Sequence, residues 1–253
     1  MLTFGSLFAG IGGIDCGLEA AGMRCAWQVE LDPFCQSVLR DRWPGVPKHG
    51  DVKTFRPDAT HRVDVIAGGF PCQPFSSSGR RRGTSDPRWL WPEYARIVAT
   101  LRPRYVLVEN VPDLLHLAFD SVLRSLAAIG YDAEWDCLAA SQFGASHRRK
   151  RLFVVAYPAG TRKRLLRNII QHHCEQPWGA MGAMGSQWRG ANDLLELTNA
   201  PFVGGDRWPQ PLIHCLDDGI PTQWGAWLKG LGNSVYVPLI TAIGKAIVED
   251  SES

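Results

Sequence analysis

Long apolar runs are missing from this chain, and so are paired cysteines and a strong charge of either sign. No hydrophobic stretch approaches membrane length, so a membrane-spanning segment is not expected. Met1-Leu2-Thr3 runs straight into strand-like sequence, and no signal peptide is expected. Cysteine is present but unpatterned. Seven residues form an odd number without a C-x-x-C pair, which points to free thiols in a reducing cytoplasm rather than a disulfide framework. Internal repeats are absent. A formal net charge of +2 excludes a broadly basic surface, so any polyanion must meet local patches. A length of 253 residues allows one full α/β domain with a small appendage.

What is present is concentrated at the ends of short strands. Val63-Asp64-Val65-Ile66-Ala67 is apolar and β-branched, as in the interior of a parallel sheet. It leads into Gly68-Gly69-Phe70-Pro71-Cys72-Gln73-Pro74, which delivers Cys72 to a carboxyl-terminal strand edge on a proline-stiffened turn. Set between two prolines and beside a serine run, Cys72 fits a nucleophile better than a core side chain.

The amino terminus reads as strand, glycine turn, helix, strand and acid. Leu2 to Phe8 leads into Ala9-Gly10-Ile11-Gly12-Gly13, and a helix from Ile14 to Ala21 is closed by Gly22. The strand Cys25 to Val29 then ends in Glu30. This is a nucleotide-binding βαβ layout with the acid placed for ribose hydroxyls. A complete G-x-G-x-x-G is lacking, which favours a ligand with adenosine but no pyrophosphate, such as S-adenosylmethionine. Asp51 is a candidate acceptor for an adenine amino group. A further strand, Arg104 to Val108, ends in Glu109-Asn110-Val111-Pro112. A thiol and a carboxyl on one sheet edge can serve one base: the thiolate attacks a ring carbon while the acid stabilises charge on a ring nitrogen.

With these residues in order, the chain resembles the DNA (cytosine-5)-methyltransferases of the compact bacterial and phage type. The likeness rests on Phe8-Ala9-Gly10-Ile11-Gly12-Gly13, Glu30, Asp51, Pro71-Cys72-Gln73, Glu109-Asn110-Val111, Arg149 and Arg151, and Gly232-Asn233-Ser234-Val235. The resemblance implies an α/β fold, a Rossmann-like S-adenosylmethionine-dependent sheet with a small target recognition region. It implies Cys72, Glu109, Arg149 and Arg151 as catalytic. It implies Phe8, Gly10, Gly12, Gly13, Glu30, Leu31, Asp51, Val52, Pro71, Leu90, Asn233 and Ser234 as cofactor-binding. Double-stranded DNA is the implied substrate, a cognate restriction endonuclease an implied partner, and a monomer the expected state. The family usually carries glutamine where this chain has His147, and the loop from Asp86 to Leu90 is short.

Charge distribution agrees. Gln142 to Arg167 holds eight basic residues and no acid, and Gln73 to Arg104 carries seven arginines against Asp86 and Glu93. Both runs are expected beside the catalytic edge, with Arg80, Arg81, Arg82, Arg149, Arg162, Lys163 and Arg164 on DNA phosphates. Arg80-Arg81-Arg82 sits in a Ser- and Gly-rich lid.

The expected organisation is a catalytic domain over 1–157, a target recognition region over 158–219 and a returning segment over 220–253. One helix from Asp113 to Ile129 is expected to cover the sheet, and another from Tyr236 to Val248 to close over the cofactor. Only Glu249 to Ser253 reads as disordered. His172-His173-Cys174 and His214-Cys215 lack the usual gap between ligands, so no metal is expected. A tRNA cytosine methyltransferase, a non-catalytic regulatory relative and a small-molecule pyrimidine methylase remain alternatives. The first would carry a Cys-Phe-Thr signature, the second would have lost the cysteine or the glycines, and the third would not need the arginine-rich loop.

Overall fold

The computed structural model describes residues 1–71, 89–145, 147–161, 163–167, 169 and 234–253. Cys72, Arg80, Arg81, Arg82, Arg162, Asn233 and the two His-Cys groups lie outside the described residues, as does most of the 158–219 region.

Seven strands form one sheet: β1 (Thr3–Leu7), β2 (Arg24–Val29), β3 (Lys48–His49), β4 (Val65–Gly68), β5 (Tyr105–Asn110), β6 (Tyr131–Ala139) and β7 (Lys150–Pro158). Their order is β3-β2-β1-β4-β5-β7-β6. The pairs among β1 to β5 are parallel, while β7 runs antiparallel to both β5 and β6. Helices α1 (Gly13–Ala20), α2 (Pro33–Arg42), α3 (Trp91–Leu101), α4 (Leu114–Leu117), α5 (Phe119–Ile129) and α6 (Val237–Ser251) complete the described fold.

The central strands are apolar on nearly every residue because both faces are covered. Phe4, Val65, Tyr105, Leu107, Phe153 and Val155 join the core beneath α1 and α6. Their alternating neighbours Leu7, Ile66, Val106, Val108, Leu152 and Val154 join the core beneath α3 and α5. A period of two thus divides each strand between two cores.

Two helix expectations are corrected. The stretch from Asp113 to Ile129 is two helices, broken at Ala118, where φ is −157°; buried Leu114, Ala118 and Phe119 all enter the same core across the break. The last helix does not fray at Glu249 but runs to Ser251, held by side chains near its end. It packs along α1, where a Cβ on Gly17 would sit 2.5 Å from Ile240 Cβ. The residues just before it, rather than the helix itself, reach the site described next. Among the described residues, no helix is long and apolar enough to cross a membrane.

Candidate active site

The carboxyl ends of β1, β2, β4 and β5 surround a cavity of about 390 Å³. Its wall includes Phe8, Gly10, Gly13, Glu30, Pro71, Glu109, Arg149, Arg151 and Ser234. Nine expected site residues, far apart in sequence, therefore share one space.

On the β1 side the chain turns sharply. Phe8 has φ +54°, an uncommon conformation for a bulky residue, and its ring stacks 6.4 Å from Tyr94. Such local strain, of order 1–3 kcal/mol, persists only where surrounding structure imposes it. Glu30 follows β2 and is held firmly: Oε2 accepts the Gly10 N–H at 2.7 Å, and Oε1 accepts the Asp32 N–H at 2.8 Å. A fixed acceptor beside a glycine turn suits the vicinal hydroxyls of a ribose. Glu30→Ala should accordingly weaken S-adenosylmethionine binding by roughly 1–3 kcal/mol, the cost of orphaning polar partners, measurable by titration calorimetry. Unchanged affinity would remove the ribose role.

The second wall carries the acid. Glu109 lies near the end of β5, where it receives Arg151 Nε at 3.0 Å. The contact follows from register. Glu109 faces Phe153 across the antiparallel pair, so Arg151, two residues along β7, lies diagonally on the same face. Burial pushes the Glu109 carboxyl above its ordinary value, and Arg151 and Arg149 oppose this only in part. Gly69 makes the close approach feasible, since a Cβ there would sit 2.5 Å from Glu109 Oε2. Asn110 Nδ2 donates to the Phe70 carbonyl at 3.1 Å, tying the acid's strand to the turn that carries Pro71 and leads to Cys72. The Arg149 N–H meets His147 Nδ1 at 3.4 Å, and the imidazole stands edge-on to Tyr236.

The model of the C-5 cytosine-specific DNA methylases matches residues 2–192. The chain belongs to that family. It is 36% identical over 160 residues to the type II methyltransferase M.HgiCII of Herpetosiphon aurantiacus, covering 60% of this chain and 36% of the relative. It is 35% identical over 153 residues to M.NgoMIV of Neisseria gonorrhoeae, covering 58% and 49%. The matched part thus spans between a third and a half of these relatives. The fold is also that of the Entamoeba histolytica methyltransferase EhMeth, with a TM-score of 0.69, 14% identity, and 100% and 99% of the two chains covered. An S. pombe Dnmt2 methyltransferase superposes with a TM-score of 0.60 at 21% identity, covering 74% of this chain and 62% of that one.

Several residues expected to bind the cofactor do not line the cavity. Gly12 has φ +88°, and its missing Cβ makes room for the Trp43 ring. Leu31 is 66% exposed. Val52 is buried beside Trp27 and Phe55, and Leu90 packs into the same core. Asp51 opens instead onto a neighbouring concavity with His49, Phe55 and His61, its carboxylate accepting the Lys53 N–H at 2.9 Å.

The second half of the basic run is also elsewhere. Lys163 pairs with Asp250 and Tyr105 at the amino end of β5, whereas Glu109 lies toward its carboxyl end. Lys163 and its neighbour Arg164 are therefore not brought to the cavity. Conversely, Asp32, Phe34 and Cys35 line it without having been singled out; the Asp32-Pro33 helix start was the available signal. Among the described residues, no cluster of three His, Cys, Asp or Glu side chains is placed to hold a metal.

Beneath the glycine turn lies a polar knot that sequence reasoning overlooked. Fully buried Asp15 in the first turn of α1 accepts Ser6 Oγ at 3.0 Å, Gln28 Nε2 at 2.8 Å and Cys25 Sγ at 3.7 Å. These donors are neutral, and burial lifts the carboxyl from 3.8 to about 6. Because the folded value is the raised one, its stabilising contribution is full below pH 4 and is lost as pH rises through 6. With about 1.36 kcal/mol per unit, the loss is roughly 3 kcal/mol. Asn can keep the Gln28 bond and donate to Ser6, so the stability of Asp15→Asn relative to the parent should rise by about that amount between roughly pH 4 and pH 7. Denaturant melts at both pH values would show it, and a constant difference would refute it.

Proposed function

We propose that this protein transfers a methyl group from S-adenosylmethionine to C5 of a cytosine rotated out of double-stranded DNA. The observation that supports this best is the sharing of one cavity by the Glu30 and glycine-turn wall and by Glu109 with Arg149 and Arg151. A ribose-binding acid and a base-binding acid belong together when a cofactor group must reach a flipped base.

The residues present fit the cofactor: Phe8, Gly10 and Gly13 of the glycine turn line the cavity, Glu30 is fixed as an acceptor, and Ser234 approaches Gly13. When bound, S-adenosylmethionine supplies an electrophilic methyl group. Asn110 holds the backbone before Pro71, which orients the turn toward Cys72. Cys72 adds as thiolate to C6 of the base, and Glu109 donates a hydrogen bond or proton at N3, so that electron density moves to C5. After methylation a base removes the C5 proton, the C6–S bond breaks, Cys72 leaves as thiolate, and a proton given to N3 returns to Glu109. Arg151 holds the Glu109 carboxyl in place, while Arg149 faces the base or its phosphate.

Residues 158–219 serve target recognition, since the catalytic edge handles one base and phosphates and neither encodes a sequence. Arg80, Arg81, Arg82 and Arg149 contact phosphates. A cognate restriction endonuclease, a monomeric state and a cytoplasmic location complete the reading. Bisulfite sequencing of DNA from cells expressing the protein tests it: protected cytosines in a short, defined context are expected, on the order of two to four base pairs. An unmethylated genome, with the expressed protein confirmed folded and cofactor-bound, would overturn the assignment.

A further inference from the structure

The chain leaves the sheet at the end opposite the cavity. Asn110 faces Leu152 near the catalytic edge, whereas Val106 faces Ala156 toward the other end. Arg151 and Pro158 are therefore separated by about seven strand residues, roughly 23 Å. Beyond Pro158 the polypeptide is held at several of its described residues. The Gly160 N–H donates to Asp132 Oδ2 at 3.0 Å. The Lys163 ammonium donates to Asp250 and to the Tyr105 hydroxyl, which itself donates to the same Asp250 oxygen. That ammonium also lies 5.1 Å from the Tyr105 ring centre and 5.9 Å from that of Tyr157. Glu134 accepts the Leu165 N–H at 2.6 Å and the Leu166 N–H at 3.2 Å, and both leucine side chains are buried.

Side chains from β5, β6, β7 and α6 thus converge on the segment that departs toward residue 170. The pair between Lys163 and Asp250 is not a loose surface contact, with side-chain exposures of 19% and 22%. It also joins the outgoing segment to the returning one. Helix α6 is 15 residues long, about 22 Å, with cavity-lining Ser234 and Val235 just before its start and Asp250 near its end. One rod connects the cavity wall to the exit point.

We propose that Lys163, Asp250, Tyr105 and Glu134 are positioning residues for DNA recognition, fixing where and in which direction the chain departs and thereby aligning the recognition contacts with the cavity. The inference rests on the reading of 158–219 as the recognition region. It differs from a phosphate contact by Lys163, because Asp250 is then as necessary as the lysine.

Lys163→Met, Asp250→Asn and Lys163→Arg should be compared in the full chain for duplex-DNA KM, kcat, salt dependence, cofactor affinity and bisulfite pattern. Lys163→Met and Asp250→Asn should each raise the KM for DNA by about ten- to a hundredfold, more than kcat falls, as misplacement far from the chemistry does. Cofactor affinity should stay constant, the methylated context should relax at its outer positions, and Lys163→Arg should restore both. Should Lys163→Met fail to fold, Asp250→Glu keeps the charge while shifting the carboxylate, and carries the same readout. A lowered melting temperature with unchanged KM and pattern would overturn the proposal. So would a salt slope reduced by about one in Lys163→Met while Asp250→Asn behaves as the parent, since that marks a phosphate contact. Trp188→Ala and Trp208→Ala separate the two layers. If they too leave KM and pattern unchanged, the recognition reading fails; if they alone change them, the positioning role fails.

Discussion

Cys72→Ser is expected to abolish methyl transfer while leaving duplex DNA and cofactor bound. A serine hydroxyl is far less ionised than a thiol near neutral pH and is the poorer nucleophile toward an aromatic ring carbon. The two side chains differ little in size, so the turn that Asn110 braces through the Phe70 carbonyl should persist. Transfer of labelled methyl groups to duplex DNA, read beside equilibrium binding of both ligands, separates the effects. Near-normal turnover by the serine variant would rule out covalent attack by Cys72. Loss of binding along with activity would place the residue in the architecture instead.

Glu109→Gln is the second large effect, with turnover expected to fall by about 10²–10⁴-fold, the range for removing a positioned general acid. Glutamine keeps the shape and can donate a hydrogen bond from its amide, but it has no proton to give. The acid form is favoured by burial and disfavoured by Arg151 and Arg149, in that order of weight. Activity of the parent should therefore decline as pH rises through the Glu109 pKa. Arg151→Leu removes a charge that lowers that pKa, so the alkaline limb should move to higher pH even if the maximum rate drops. Parent-like turnover in the glutamine variant, or an alkaline limb that does not move without Arg151, would exclude Glu109 as the proton donor.

Much of the cavity's edge was legible because buried parallel strands announce themselves. The apolar runs ending at Gly68 and Asn110 are bounded by glycine and proline, and each puts its chemistry at or just past its last residues. The glycine turn and Glu30 were readable for the same reason. What sequence could not supply was anything carried by distant pairing. Arg151 reaches Glu109 only through the register of β5 with β7, and Asp250 reaches Lys163 across 87 positions. The basic residues from Arg148 to Arg167 look like one patch in linear order, yet β7 runs between Arg149 and Lys163 and places these two toward opposite ends of the sheet. The helix break at Ala118 left no mark either, because apolar residues continue on both sides of it. Asp15 was hidden by a different cause: its three donors come from two strands, and an acid in a first helical turn ordinarily reads as a favourable terminal charge.

The packing of α6 on α1 has a consequence for how such proteins diversify. Ile169 and Val235 both sit in the same core, at the two ends of a long excursion of the chain. The entropy of closing a chain segment between fixed ends grows only with the logarithm of its length, about 0.6 kcal/mol for each doubling. On the proposed reading of residues 158–219 as the recognition region, lengthening or replacing the sequence between these two anchors should cost the fold little, so target preference and the stability of the sheet can change independently.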